Sequence, residues 1–260
     1  MYHTVPLRPD STCLTTWREA VRVVDAEPGH EAHNVIMSVA DPVNGTGLAD
    51  PGIKPVDDFL RQHDKSLQSI ANTIFPAALY RRHGAPEFFT EFHEKILPKV
   101  RDKEKWSGYY FERMTSWDGA PHNNPLWDLV QRMADPAVTS RNKFELALFD
   151  PARDLNRSPY GGQCLSYLSF KTMPGSPDVV NLTAMYRNHY YIEKLLGNLI
   201  GLGRLLSFVA AETGLEVGSL TVLSSHAQID QMRTCAGGTT RRGDITSLLD
   251  QVDAELAVAA

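Results

Sequence analysis

The chain has little cysteine: Cys13, Cys164 and Cys235 are the only three in 260 residues, an odd number with no C-x-x-C spacing. This excludes a disulfide framework and a cysteine zinc cluster. Its nine histidines form no H-E-x-x-H pair, and His30 and His33 lie in a polar stretch lacking a matching carboxylate pattern, so no metal is expected. Positive charge is also scarce. Twenty-six basic against 31 acidic residues give a net charge of −5, which argues against an extended nucleic-acid surface while leaving room for a local phosphate pocket. The apolar stretch Leu195 to Val209 is broken by Asn198, Gly201, Gly203 and Arg204, and no segment reaches the roughly 20 apolar residues of a bilayer span. Met1 to Asp10 has neither a basic lead nor an apolar run behind it, so no signal peptide is read and a soluble, cytoplasmic protein is expected.

What is present describes an ordinary globular protein: 42% hydrophobic, 22% charged and 9% aromatic residues over a length that buries a full core as one domain, 1–260. Residues 1–54, rich in Pro, Gly, Asp and Thr, are expected to be irregular, with loop and edge structure and a strand at Val35 to Val39. Apolar residues at helical spacing predict helices from Val56 to about Tyr80, from Pro86 to Val100, and over Pro125 to Met133. Strand-like runs follow at Phe144 to Phe149, Cys164 to Lys171 and Val179 to Tyr186, the last two joined by the turn cluster Pro174-Gly175-Ser176-Pro177. Tyr191 to Ala211 is apolar nearly all round, which predicts a central buried helix stopped at Gly214. Its glycines, Gly197 to Gly203, lie inside the helix and not after a strand, so they indicate close helix packing and not a phosphate loop. Leu220 to Ile229 reads as a strand, and 238–260 as a tail with a helix at Ile245 to Leu256.

One residue has a nucleophile's position. Cys164 follows Pro159-Tyr160-Gly161-Gly162-Gln163 and opens a strand, where a side chain is presented at the rim of a sheet. A free cysteine taken alone is more readily a small buried hydrophobe than a nucleophile. A serine hydrolase is not supported by Ser224, Ser225 and His226, because no G-x-S-x-G elbow is present. Order along the chain adds to the case for Cys164: Gly108-Tyr109-Tyr110-Phe111-Glu112-Arg113, Asp135-Pro136 with Ser140-Arg141, Phe149-Asp150-Pro151, Cys164, Tyr186-Arg187-Asn188, Asn198, and Thr213-Gly214-Leu215-Glu216-Val217-Gly218.

This ordered set resembles the thymidylate synthase family, over about Trp106 to Asp230 and most strongly from Arg187 to Gly218. The resemblance implies an α+β fold with a central mixed or antiparallel sheet, a long buried helix and surrounding helices, and a homodimer formed through the sheet. It implies that Cys164 adds as a thiolate to C6 of a pyrimidine nucleotide, making C5 a carbon nucleophile for a one-carbon unit from 5,10-methylene-tetrahydrofolate. Arg187 then serves both the cysteine and a substrate phosphate. Arg141 reaches the same phosphate across the dimer interface, while its neighbouring family arginine is Asn142 here. Asn198 reads the pyrimidine's carbonyl and ring N–H, leaning toward uracil, and Tyr110 assists proton handling at C5.

Several positions depart from the family. Its histidine after the cysteine is Leu165, and its serine after the phosphate arginine is Asn188. Its pterin-contacting aspartate is Tyr190, and the histidine and tyrosine that hold the sugar hydroxyl are Gln228 and Asp230, both still able to bond hydroxyls. Its proton-handling glutamate on an early helix has only Asn72 or Thr73 nearby. The expected function is therefore a specialised methylase or hydroxymethylase, of natural-product or modified-base biosynthesis, with Asn188, Gln228 and Asp230 around the substrate. The alternative is a catalytically lapsed relative that binds a nucleotide or a protein partner.

Overall fold

The computed structural model describes residues 3–6, 8–101, 109–117, 123–155, 163–175, 178–233 and 238–259. Pro159 to Gly162, ahead of Cys164, and Ser176-Pro177 of the turn cluster lie outside the described residues, as do Trp106, Gly108 and Cys235. In chain order the elements are β1 (His3–Val5), α1 (Cys13–Asp25), β2 (Glu31–Val39), α2 (Lys54–Arg61), α3 (Leu67–Ile74), α4 (Ala77–His83), α5 (Glu87–Glu91), α6 (Leu97–Arg101), α7 (Tyr110–Thr115) and α8 (Pro125–Ala134). They continue as β3 (Glu145–Ala147), α9 (Pro151–Asp154), β4 (Leu165–Met173), β5 (Val179–Tyr186), β6 (His189–Tyr190), α10 (Leu196–Thr213), β7 (Glu216–Gln228) and α11 (Arg242–Ala259).

The seven strands make one mixed sheet in the order β1-β2-β7-β5-β4-β3, with β6 pairing β7. β5 and β7 run parallel, whereas β2 with β7 and β4 with β5 are antiparallel. The architecture is mixed α and β, in keeping with the α+β expectation. The helix expected over Val56 to Tyr80 is three helices, because the chain turns through Asp64 at φ 58 and again at Pro76. The one over Pro86 to Val100 is α5 and α6 joined by a π-helical turn at Phe92–Ile96.

The N-terminal part is not irregular. Thr12 caps α1, its hydroxyl accepting from the Thr15 amide at 3.3 Å. The face carrying Leu14, Trp17, Ala20, Val21 and Val24 is buried, and the Trp17 indole donates to the Tyr191 carbonyl at 2.9 Å. β2 is interior to the sheet, between β1 and β7, and the edge is β1.

α10 is the core helix, packed on β5 and β7 and against α1, α3 and α8. By length and composition the span Tyr191–Thr213 would suit a bilayer, but most of it is buried inside the protein. Its glycines permit the approach of α3: a Cβ on Gly197 would lie 2.6 Å from an Ile70 methyl, and one on Gly201 would lie 2.9 Å from the Ala71 carbonyl. Gly214 ends the helix in the left-handed conformation, φ 70. The helix entry is fixed from outside by Asp230, whose carboxylate accepts from the amides of Ile192 (2.9 Å) and Glu193 (3.1 Å).

Candidate active site

β4 and β5 bring the nucleophile candidate and its arginine together. Leu165 pairs with Tyr186 in register, and just beyond the pair the Arg187 amide donates to the Cys164 carbonyl at 2.9 Å. The Arg187 side chain turns back so that Nε donates to the Gln163 carbonyl at 3.0 Å. Cys164 is only partly buried. Its thiol is pushed up in pKa by burial, against the opposing pull of Arg187, Lys194 and a hydrogen bond with the Tyr110 phenol. Tyr110, the first residue of α7, is partly buried, its phenol pKa is raised by burial, and that phenol also meets the amides of Cys164 and Leu165. α7 is tied to the sheet side by a buried ion pair, Arg113 to Asp154, at 2.8 and 3.3 Å.

Behind the thiol lies a layer absent from the sequence expectation. Tyr186 is fully buried, close enough to Cys164 and Tyr110 for their charges to raise its pKa further, and its hydroxyl has no hydrogen-bond partner among the described residues. Its ring stacks on His189, centroids 3.9 Å apart and 10° from parallel. The His189 Nε2 meets the Asn198 amide Nδ2 at 3.0 Å and its Nδ1 meets Ser224 Oγ at 3.0 Å, while Tyr191 donates to the same Oγ at 3.3 Å. Burial lowers the His189 pKa to about 3, so the ring is neutral. His189 sits in an aromatic run with no motif, and its partner Ser224 lies on another strand, so only the fold joins them.

The other predicted residues are distributed as follows. Asn198 is buried on α10, one link from His189. Asn188 bonds the His226 ring, Oδ1 to Nδ1 at 2.6 Å, and also the Tyr190 phenol, while the other nitrogen of His226 meets Glu31 at 2.8 Å. Gln228 ends β7, opposite Tyr190 and Glu31 in register. Asp230 is spent on the helix-entry amides, and burial raises its pKa to about 6. Arg141 is half-exposed and faces Asp178 at 4.0 Å, just ahead of β5, whereas Arg187 follows that strand. The eight residues of β5 separate Asp178 from Arg187, about 30 Å over the steps between them at ~3.3 Å each, so the two arginines do not meet within one chain. Asn72 on α3 is engaged with Gln68 at 3.1 Å and Arg204 at 3.5 Å.

Two cavities in the protein are lined by neither Cys164, Arg187 nor Asn198. One of about 650 Å³ opens between α2 and α11, and one of about 400 Å³ is lined by Asn72, Leu79, Arg82, Phe92, Ile96 and Tyr109. Among the described residues no group of three His, Cys, Asp or Glu side chains is placed to hold a metal ion.

No family model matches the chain. Three archaeal proteins similar to it each carry the name "Putative thymidylate synthase". The one from Methanococcoides burtonii is 27% identical over 139 residues, 54% of this chain and 60% of the relative. Those from Methanosarcina barkeri and Methanopyrus kandleri are 28% and 30% identical over 140 residues, covering 54% and 53% of this chain and 60% and 61% of the relatives. The relationship is distant and thymidylate synthase-like. The chain spans about 60% of the length of these curated relatives.

Proposed function

We propose that the protein is a thymidylate synthase-like one-carbon transferase, a methylase or hydroxymethylase acting at C5 of a pyrimidine nucleotide or related substrate. The observation that carries this reading is the convergence of Cys164, the Tyr110 phenol and Arg187 at the head of β4. In the reaction the thiolate sulfur bonds to C6, and the C5=C6 electron pair moves through C5 onto the C4 oxygen. The resulting enolate attacks through C5 a one-carbon unit at the formaldehyde oxidation level; the C5 proton then leaves and the bond from that carbon to its carrier breaks, its electron pair going with the carrier and leaving an exocyclic methylene at C5. Addition of water to this methylene in a hydroxymethylase, or of hydride from a reduced carrier in a methylase, expels the thiolate from C6 and restores the C5=C6 bond. Arg187 favours the thiolate and receives the substrate anion. Asn198 pairs with the ring, and Asn188 and Gln228 border the sugar end, while Asp230 holds the helix entry behind them.

A homodimer completes the site. The outer sheet face carries an apolar row in register across four strands, Tyr167, Met185, Leu223 and Ile36, and three of these side chains are exposed. A second copy seated on that row would bring the half-exposed Arg141 to its neighbour's anion site, which no Arg141 reaches within its own chain. The one-carbon donor named by the family is 5,10-methylene-tetrahydrofolate. Its pterin is met there by a carboxylate, and Tyr190 holds that position here with its phenol engaged by Asn188. This residue does not fit the pterin, and no step is derived through the folate. The change at Tyr190, with those at 188, 228 and 230, supports a specialised cytoplasmic enzyme of natural-product or modified-base biosynthesis.

A second reading, a lapsed enzyme that binds a nucleotide or partner, is favoured by the raised thiol pKa and by Asn72, which is amide-paired where the family keeps a carboxylate. One experiment separates the two: intact mass spectrometry with 5-fluoro-dUMP, 5-fluoro-UMP and 5-fluoro-dCMP, with and without methylene-tetrahydrofolate. An adduct on Cys164, absent in Cys164→Ala, is the result expected of the transferase. A thiol that alkylates freely and traps none of these nucleotides rejects it.

A further inference from the structure

The Asn198–His189–Ser224 chain does more than fill the core. His189 is neutral and has one donor and one acceptor nitrogen. With the Asn198 Nδ2 against Nε2, that nitrogen is the acceptor, so the proton is on Nδ1 and is given to Ser224 Oγ. Oγ also takes the Tyr191 hydroxyl hydrogen, and the Tyr191 backbone is in turn held by Trp17. Every member is buried, so an alternative arrangement of these hydrogens has no water to complete it.

One amide hydrogen of Asn198 is thereby consumed. Its second hydrogen and Oδ1 remain, with no other partner among the described residues. They form an adjacent donor and acceptor in a fixed order. A uracil-type ring offers the matching imide edge, an O4 acceptor beside an N3–H donor. A cytosine-type ring offers the reverse, an N4 donor beside an N3 acceptor, and an asparagine free to turn by 180° would satisfy it equally well. Turning is blocked here, because Oδ1 would face the lone pair of Nε2.

We propose that His189, held in its Nδ1–H tautomer by Ser224, is a positioning residue that fixes the Asn198 amide and so selects a uracil-type over a cytosine-type ring. The inference rests on the reading of this site as a pyrimidine site. His189 stacks on Tyr186, which borders Cys164, so the lock lies directly behind the reacting region. Ser224 is the switch in this device. Without its hydroxyl the imidazole proton moves to Nε2, Oδ1 turns to accept it, and the order presented to the ligand is inverted.

The test has two arms. In the free protein, two-bond 1H–15N spectra with histidine labelling, His189 being assigned by its loss in His189→Gln, are expected to show the Nδ1–H tautomer; an Nε2–H ring overturns the proposal whatever the ligand. In the second arm, affinities for dUMP and dCMP are measured by calorimetry in wild type, Ser224→Ala and His189→Gln. The dUMP:dCMP preference is expected to fall roughly 10- to 100-fold in both variants, the range of one good bidentate base contact, with dCMP binding gained and not merely dUMP binding lost. A wild-type preference that survives both substitutions overturns this inference alone. Failure of the wild type to bind either nucleotide overturns the pyrimidine-site reading and the inference with it.

Discussion

Asp230 is replaced by asparagine in the variant whose behaviour the structure determines most closely. Its two oxygens accept from the Ile192 and Glu193 amides and anchor the turn that carries Lys194 past Cys164. Burial is the largest influence on it and outweighs those two bonds, so its pKa is raised from 3.8 to about 6. A carboxyl raised on folding stabilises the native state most when protonated. That advantage is complete below the unfolded pKa and is lost as pH rises through the folded one. With 3.8 unfolded and about 6 folded, the stability lost between pH 5 and pH 8 is on the order of 1 kcal/mol. Glu193, where Lys194 and Lys65 outweigh burial, stays ionised throughout that window and does not add to the slope. Asp230→Asn removes the titration. Its Oδ1 still serves Ile192, but Nδ2 then faces the Glu193 N–H, a lost bond costing about 1–3 kcal/mol. That loss sets the offset between variant and wild type and leaves the slope untouched. Urea unfolding at pH 5, 6, 7 and 8 is expected to show the variant gaining on wild type by roughly 1 kcal/mol across the range. A difference that stays flat, or that moves the other way, refutes the assignment of Asp230 as a buried helix-entry acceptor.

Other perturbations follow from the same structure. Gly203→Ala places a Cβ 2.0 Å from the Pro42 carbonyl oxygen, so despite a helix-propensity gain of about 1 kcal/mol it should destabilise by about 2 kcal/mol or more, read as a lowered Tm. Arg113→Met leaves Asp154 buried without its cation and should cost about 3–5 kcal/mol in chemical denaturation, most of it recovered in the double variant with Asp154→Leu. Arg187→Leu removes the largest influence holding the Cys164 thiol down against burial, and iodoacetamide labelling of Cys164 at pH 8 should slow several-fold, whereas an unchanged rate would show that the guanidinium does not act on the sulfur. Tyr186→Phe deletes a buried hydroxyl with no partner among the described residues and should leave the free protein as stable or up to about 1 kcal/mol more stable by thermal unfolding.

The parts of the fold legible in the sequence were those whose local signals agree with their tertiary setting. Val179 to Tyr186 reads as a strand and is β5, and Pro125 with the apolar period behind it marks α8. The all-round apolar run ending in Gly214 marks α10. The miss at α1 had a signal in plain view, since Leu14, Trp17, Val21 and Val24 recur at helical spacing behind Thr12, but Pro, Gly and Asp elsewhere in 1–54 outweighed them. At the site, Cys164, Tyr110 and Arg187 were found through their order along the chain. His189 and Ser224 were not, because a buried polar pair 35 residues apart leaves no periodic trace; the pairing of β7 with both β5 and β6 brings them together, Ser224 lying opposite Tyr186 in register.

Four departures from the family pattern, Asn188, Tyr190, Gln228 and Asp230, lie around β6 and the end of β7, and three of them are bonded to their surroundings. Asn188 is held by His226, which is in turn held by Glu31, and Asn188 also meets Tyr190. Asp230 is committed to two backbone amides. A protein drifting without selection on this region would be expected to leave unsatisfied polar atoms where ligand contacts once were. Here Asn188, Tyr190, His226 and Glu31 form a connected rim, while the Tyr186 hydroxyl, one of several buried side-chain polar atoms without a hydrogen-bond partner among the described residues, lies beside the thiol. An unpaired buried phenol costs stability unless something binds it. The pattern fits a site whose nucleophile end still awaits a ligand atom and whose far end has been rebuilt around a different substituent. Wild-type stability should therefore rise on addition of a true substrate more than Tyr186→Phe stability does, a comparison that differential scanning fluorimetry makes directly on the two proteins.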